Sequence, residues 1–138
     1  MDKVTPIDEE YTYDGSACIS QTDLDGNIIY TNKKFCEVSG YTTDELFRAS
    51  HNIIRHPDMP KAAFAKMWEA ISGGQTWNGL LKNLRKDGKY YWIGLEIIPT
   101  KDDVTNQITG YIATGKKASD KDIKENTTLY QKMLEAQG

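Results

Sequence analysis

Histidine and cysteine, the usual metal ligands and nucleophiles, are scarce in this 138-residue chain, with two of each. Cys18 and Cys36 stand apart from any spaced motif. They read as reduced packing residues rather than a disulfide, which makes the cytoplasm the expected compartment. His51 and His56 have no Cys or Glu at ligand spacing, so no metal site is expected. No Gly-x-Gly-x-x-Gly occurs, which excludes a Rossmann dinucleotide site. No basic stripe accompanies the net charge of −3, so nucleic acid is not an expected partner. No apolar run approaches the length of a membrane span, and no signal peptide is visible at Met1. A membrane would be reached only through other parts of a longer receptor. Repeats and low-complexity segments are missing as well.

What the chain does contain is signals for two strands, then short helices, then three strands, enough for one domain with a single core. Residues 1–16 read as an N-terminal arm, polar at its start and carrying Pro6. Ile19 to Thr22 and Ile28 to Thr31 flank Asp25-Gly26, a hairpin signal in which both central residues reach φ > 0. Asn32 caps a short helix that ends at Gly40. Thr42-Thr-Asp-Glu45 is a capping box opening another. Lys61 to Ser72 is the longest helix expected within the core, with Phe64, Met67, Trp68 and Ile71 on one face. Three strands follow: Trp77 to Arg85, Tyr90 to Pro99 after a turn at Asp87-Gly88, and Ile108 to Lys116. The fold class is α+β, a five-stranded antiparallel sheet with short helices packed over one face. From Ala118 to Gly138 a linker helix begins near Ser119-Asp-Lys-Asp122, with a sparse stripe of Ile123, Tyr130, Met133 and Leu134. A helix this short is marginal alone, so it either continues into a coiled coil, packs on a partner, or frays.

Two segments carry the chemistry. Asn52 to Pro60 reads Asn-Ile-Ile-Arg-His-Pro-Asp-Met-Pro. Pro57 and Pro60 hold it out of regular helix, so Arg55, His56 and Asp58 sit at fixed places. Read plainly, it is a surface turn with an Asp–Arg pair and an N-cap; read functionally, it grips an anionic ligand. Further on comes Trp77-Asn-Gly-Leu-Leu-Lys-Asn83 before Arg-Lys-Asp-Gly. Alternation puts Trp77, Gly79, Leu81 and Asn83 on one side of a strand, and Leu80 and Leu84 on the other. If Trp77 and Leu81 face the helices, Asn83 faces inward with them. A buried amide without partners costs about 1–3 kcal/mol. Asn83 therefore meets backbone, a water, or a ligand edge bearing donors and acceptors. Gly79 leaves space for a flat ring.

Together these segments, Arg-His-Pro-Asp-Met-Pro and Trp-x-Gly-x-x-Lys-Asn, resemble the PAS domain family over about Ala17 to Lys117, and in particular the FAD-holding PAS sensor domains of bacterial aerotaxis receptors. The resemblance divides the chain into an arm (1–16), a PAS sensor domain (17–117) and a linker helix towards an output domain (118–138). It implies FAD as cofactor, with Asn83 against the uracil end of the isoalloxazine ring and Trp77 stacking on the flavin or adenine. Arg55, His56 and Asp58 support binding, Arg55 by forking onto the pyrophosphate. Trp68 is core first and pocket wall second. Asn32 matches a PAS position near the ligand, although a helix cap explains it equally. Thr114 falls where some flavin PAS domains place a side chain near the redox-active nitrogen. Light-sensing relatives carry a cysteine in an Asn-Cys-Arg run where this chain has His51-Asn-Ile-Ile-Arg-His, so thiol-adduct photochemistry is not expected.

The expected function is a redox or oxygen-taxis sensor that signals by conformational change. Its output is the outer face of the sheet, where Leu80, Leu84 and Trp92 or Ile98 await cover from the arm, a twin subunit or the next receptor domain. A homodimer and a downstream signalling domain are the expected partners. The alternatives are a cofactor-free PAS dimerisation module and a haem- or small-ligand-binding PAS. A turnover enzyme is not expected, since no general acid, base or second substrate cleft is apparent.

Overall fold

Local sequence chemistry starts and stops each element of the computed structural model, which describes residues 3–137. Met1, Asp2 and Gly138, the outermost residues of the arm and the linker helix, lie outside the described residues. Strands β1 (Cys18–Asp23) and β2 (Ile28–Thr31) form the first hairpin. Its turn differs from the expected two-residue form. Gly26 takes φ +83° but Asp25 stays in the ordinary region. The Asp23 carboxylate accounts for this, because its Oδ1 accepts from Asp25 N at 3.0 Å and Asn27 N at 2.9 Å, tying a longer loop. The Asp87-Gly88 turn follows the same pattern, with only the glycine at positive φ.

Helix α1 (Lys33–Ser39) is capped by Asn32 and ended by Gly40 at φ +80°. Helix α2 (Thr43–Leu46) has the expected capping box, Thr42 Oγ1 accepting from Glu45 N and Glu45 Oε1 from Thr42 N. A 3-10 turn over His51–Ile54, not foreseen in the sequence, leads into the proline-bounded segment. Helix α3 (Lys61–Ser72) starts directly after Pro60. Strands β3 (Trp77–Leu84), β4 (Tyr90–Lys101) and β5 (Ile108–Lys116) complete one antiparallel sheet of order β2-β1-β5-β4-β3. Its inner face carries Cys18, Ser20 and Thr22 from β1, and Leu81, Ile93, Ile97 and Tyr111 from the other strands, beneath α1 and α3.

The arm is laid on the domain. Ile7 N donates to Gly88 O, Tyr11 N donates to Tyr90 O, and the Tyr13 hydroxyl donates to Gly115 O at 3.1 Å. Helix α4 (Asp120–Gln137) packs back on its own sheet. Tyr130 stacks on Trp92 with centroids 6.4 Å apart and rings 6° from parallel, and its hydroxyl donates to the Leu80 carbonyl. Gln137 Oε1 accepts from Lys61 N, tying the last turn of α4 to the start of α3. Leu80 and Trp92 thus receive their cover from the chain itself, and Leu84 is buried too. Ile98 remains 44% exposed. No described helix is long and apolar enough to cross a membrane.

Candidate functional site

Between the sheet and α3 lies a cleft that encloses about 630 Å³ of empty space, mouth included. Its inner cavity has a volume of about 70 Å³. The gap is therefore narrow. Leu81, Leu95, Ile97 and Ala113 form its apolar floor; Phe64, Met67 and Ile71 of α3 form its roof. Trp68 closes one end. Its indole lies 3.3 Å from where a Cβ on Gly26 would stand and meets Tyr111 edge-on at 5.5 Å. Trp68 is 36% exposed, so it is a wall more than a core residue.

A deeper lobe continues towards α1. It shares Ser20, His51, Ile54, Leu95 and Ala113 with the first and reaches Asn83 and Tyr91. Asn83 is 5% exposed. Its side chain makes one long hydrogen bond, Nδ2 to Tyr91 Oη at 3.5 Å. A buried amide normally has more. Burial pushes the Tyr91 phenol upward, so it stays a neutral partner.

The Arg-His-Pro-Asp-Met segment closes the free edge of β3. Arg55 bridges to Asn83 in antiparallel register, and Lys82 N donates to Met59 Sδ at 3.5 Å. Pairing of this kind satisfies an edge that would otherwise be open. Because neighbouring residues in an extended segment point to opposite sides, the expected triad is split. Arg55 faces the cavity; its guanidinium lies 4.5 Å from the Phe64 ring centroid and donates to Met59 O at 3.3 Å. It also borders an open outer cleft with Tyr41, Pro57 and Leu84. His56 turns the other way, edge-on to Tyr90 at 6.4 Å, and its Nδ1 accepts from Asp58 N at 3.0 Å. Burial first, and then Lys82, lowers its pKa. The Asp58 carboxylate is exposed and pairs with Lys82 Nζ at 3.1 Å. An Asp58–Arg55 pair does not form.

Three other expected residues stand away from the gap. Asn32 uses its whole amide in the fold: Oδ1 accepts from Ile19 N and Phe35 N at 3.0 Å each, and Nδ2 donates to Ala17 O at 2.9 Å. Thr114 is paired with Ile19 and Glu96 on the outer face, while Ala113 beside it faces the cavity. Trp77 packs against both core clusters without lining either lobe. Its ring lies over Gly79, where a Cβ would come within 2.3 Å of it. Gly79 therefore makes room for Trp77 rather than for a ligand. The sequence reading passed over His51, Ser20, Thr22 and Tyr111 as lining residues. For the strand residues the signal was alternation from Cys18 and from Ala113; for His51 there was none.

The PAS fold family model matches residues 28–114. The aerotaxis receptor of Escherichia coli K12 is 42% identical over 118 residues, covering 86% of this chain and 23% of the receptor. The nitrogen fixation regulatory protein of Klebsiella oxytoca is 30% identical over 118 residues, again 86% of this chain and 23% of that protein. The chain thus spans less than a quarter of the length of these curated relatives. The dark-state structure of the blue-light photoreceptor Aureochrome1 LOV superposes with a TM-score of 0.71 at 22% identity, covering 90% of this chain and 99% of that one, a likeness of fold. The family match, the sheet order and the cavity under the inner face agree, and this chain belongs to the PAS family.

Proposed function

We propose that this chain is the sensor module of a larger signalling protein, that it holds a flavin in the gap beneath the sheet, and that it reports the flavin's redox state by a change of conformation. The observation that carries the reading is Asn83, a buried amide with one long bond, at the end of a thin apolar slot. The donor set suits an isoalloxazine ring. Its flat body is apolar on both faces, and its uracil edge offers the donor and acceptors that Asn83 lacks. Bound flavin supplies reversible electron transfer. Asn83 holds the edge and must re-pair when that edge changes between acceptor and donor. Such a bond is worth about 1–3 kcal/mol, enough to bias an element with a small gap between two states.

FAD is favoured over FMN by Arg55. It stands where the inner cavity meets the outer cleft, and its guanidinium would hold a pyrophosphate there. Trp68 would wall the ring. His56 and Asp58 support binding indirectly, by bracing the segment that presents Arg55. Asn32 and Thr114 serve the fold instead. The relatives' names, a receptor and a regulatory protein, favour signalling over turnover. A cytoplasmic setting, a twin subunit and an output domain beyond α4 complete the reading.

Replacement Asn83→Ala tests it. The variant is expected to fold, with an unchanged far-ultraviolet circular dichroism spectrum, and to lose most of the flavin absorbance per mole of purified protein. A variant as yellow as the parent would remove Asn83 from the site.

A further inference from the structure

Two polar side chains line both lobes of the cavity and have no part in the roles above: Ser20 and His51. Ser20 is 1% exposed on the inner face of β1. Its Oγ shares a hydrogen bond of 3.0 Å with His51 Nε2. Phe35 of α1 stands edge-on to the imidazole with centroids 5.8 Å apart. The backbone is pinned as well, His51 N donating to Gly26 O at 2.9 Å. The ring is thus fixed from three elements at one place in the cavity wall.

The electrical surroundings of that ring are sparse. No carboxylate lines either lobe among the described residues. Arg55 is the lining cation; Cys18, Tyr91 and Tyr111 are the other titratable groups. Burial pushes Cys18 and Tyr91 upward, so both stay neutral. Burial also presses His51 down to about 4, against a smaller upward pull from its own backbone. His51 is therefore a neutral imidazole, in a space lined by no carboxylate among the described residues.

We propose that His51, held by Ser20, is the proton acceptor of this cavity and takes up a proton when reduction places a negative charge on the bound ring. The inference rests on the flavin reading. The balance is two electrons from an external reductant and two protons from water: one proton goes to the ring, which keeps a charge of −1, and the other to His51. The imidazolium then neutralises the new charge. A unit negative charge at about 6 Å would, at an effective dielectric of about 20, raise the imidazole's proton affinity about a hundredfold. That would move His51 upward from about 4, towards the range where an imidazole ordinarily titrates. Protonation also changes what Nε2 offers Ser20, so the β1 end of the cavity registers the electron count independently of Asn83.

The chain's two histidines make the test direct. Imidazole nitrogen and carbon shifts of the flavin-loaded domain are followed through a pH titration, before and after full reduction by dithionite. His56→Asn assigns the two signals. The expected result is a His51 signal neutral to below about pH 5 in the oxidised protein, with a proton affinity roughly a hundredfold higher after reduction. A His51 titration that is the same in both redox states, in a sample whose colour bleaches on reduction, overturns the proton role and leaves the flavin reading standing. A colourless sample indifferent to dithionite overturns both. Ser20→Ala gives a second readout: the His51 titration should move in this variant, and an unmoved one would show that the Ser20 bond does not hold the ring.

Discussion

Asn32 and Asn83 are the same side chain put to opposite uses. Asn32 bonds two amides and a carbonyl and so staples α1 to β1. Asn83 has one long bond and lines the deeper lobe of the cavity. In the sequence both admitted a structural and a ligand role, and only the partners separate them. Thr114 shows how sharp such distinctions are: a shift of one position along β5 exchanges the cavity face for the outer face, and Ala113 takes the inner place. His51 left no mark in the sequence, because its inward direction comes from the 3-10 turn and not from a periodic pattern. Its depressed pKa has a consequence for stability. Between about pH 6.5 and about 4 the unfolded chain binds a proton at His51 that the folded chain refuses, so stability is full above this window and falls as the pH drops through it. His56 is lowered too and acts in the same sense. The expected loss from His51 is about 3 kcal/mol, measured as the urea midpoint against pH. His51→Asn should flatten most of that slope; an unchanged slope would mean that the imidazole is not held neutral.

At the scale of elements, two straps define the domain. The first is Arg55 to Pro60, which lies along β3 and closes its edge while splitting Arg55 from His56 and Asp58. The prolines announced an irregular segment; the side to which each residue points follows from the bridge to Asn83, which no local pattern encodes. The second strap is α4. Its stripe of Tyr130 and Met133 was legible, but the surface that receives it is Leu80 and Trp92 of the same chain. A partner-facing helix and a self-packed one have the same sequence signature. The docked form places α4 over the outer face of the strand that carries Asn83. Truncation before Ser119 should uncover Trp92, shifting tryptophan emission to longer wavelength and lowering stability by about 2–4 kcal/mol. Unchanged emission and an unchanged midpoint would show that the Tyr130–Trp92 stack does not hold in solution.

For the molecule as a whole, element types followed from periodicity, caps and turns, because those signals are local. The order β2-β1-β5-β4-β3 joins the first strand to the last, a pairing across most of the chain that no local pattern specifies. The cavity is a product of that order, which sets Ser20 of β1 beside Ala113 of β5 and leaves a slot under α3. The central claim is that this slot is shaped for a flavin. The most direct measurement is the absorption spectrum of the purified domain, followed by identification of whatever nucleotide heat releases from it. The account predicts flavin absorbance bands in roughly equimolar amount (about one ring per single ligand cavity) and released FAD. A colourless protein with no extractable nucleotide, even after incubation with excess FAD, would contradict it.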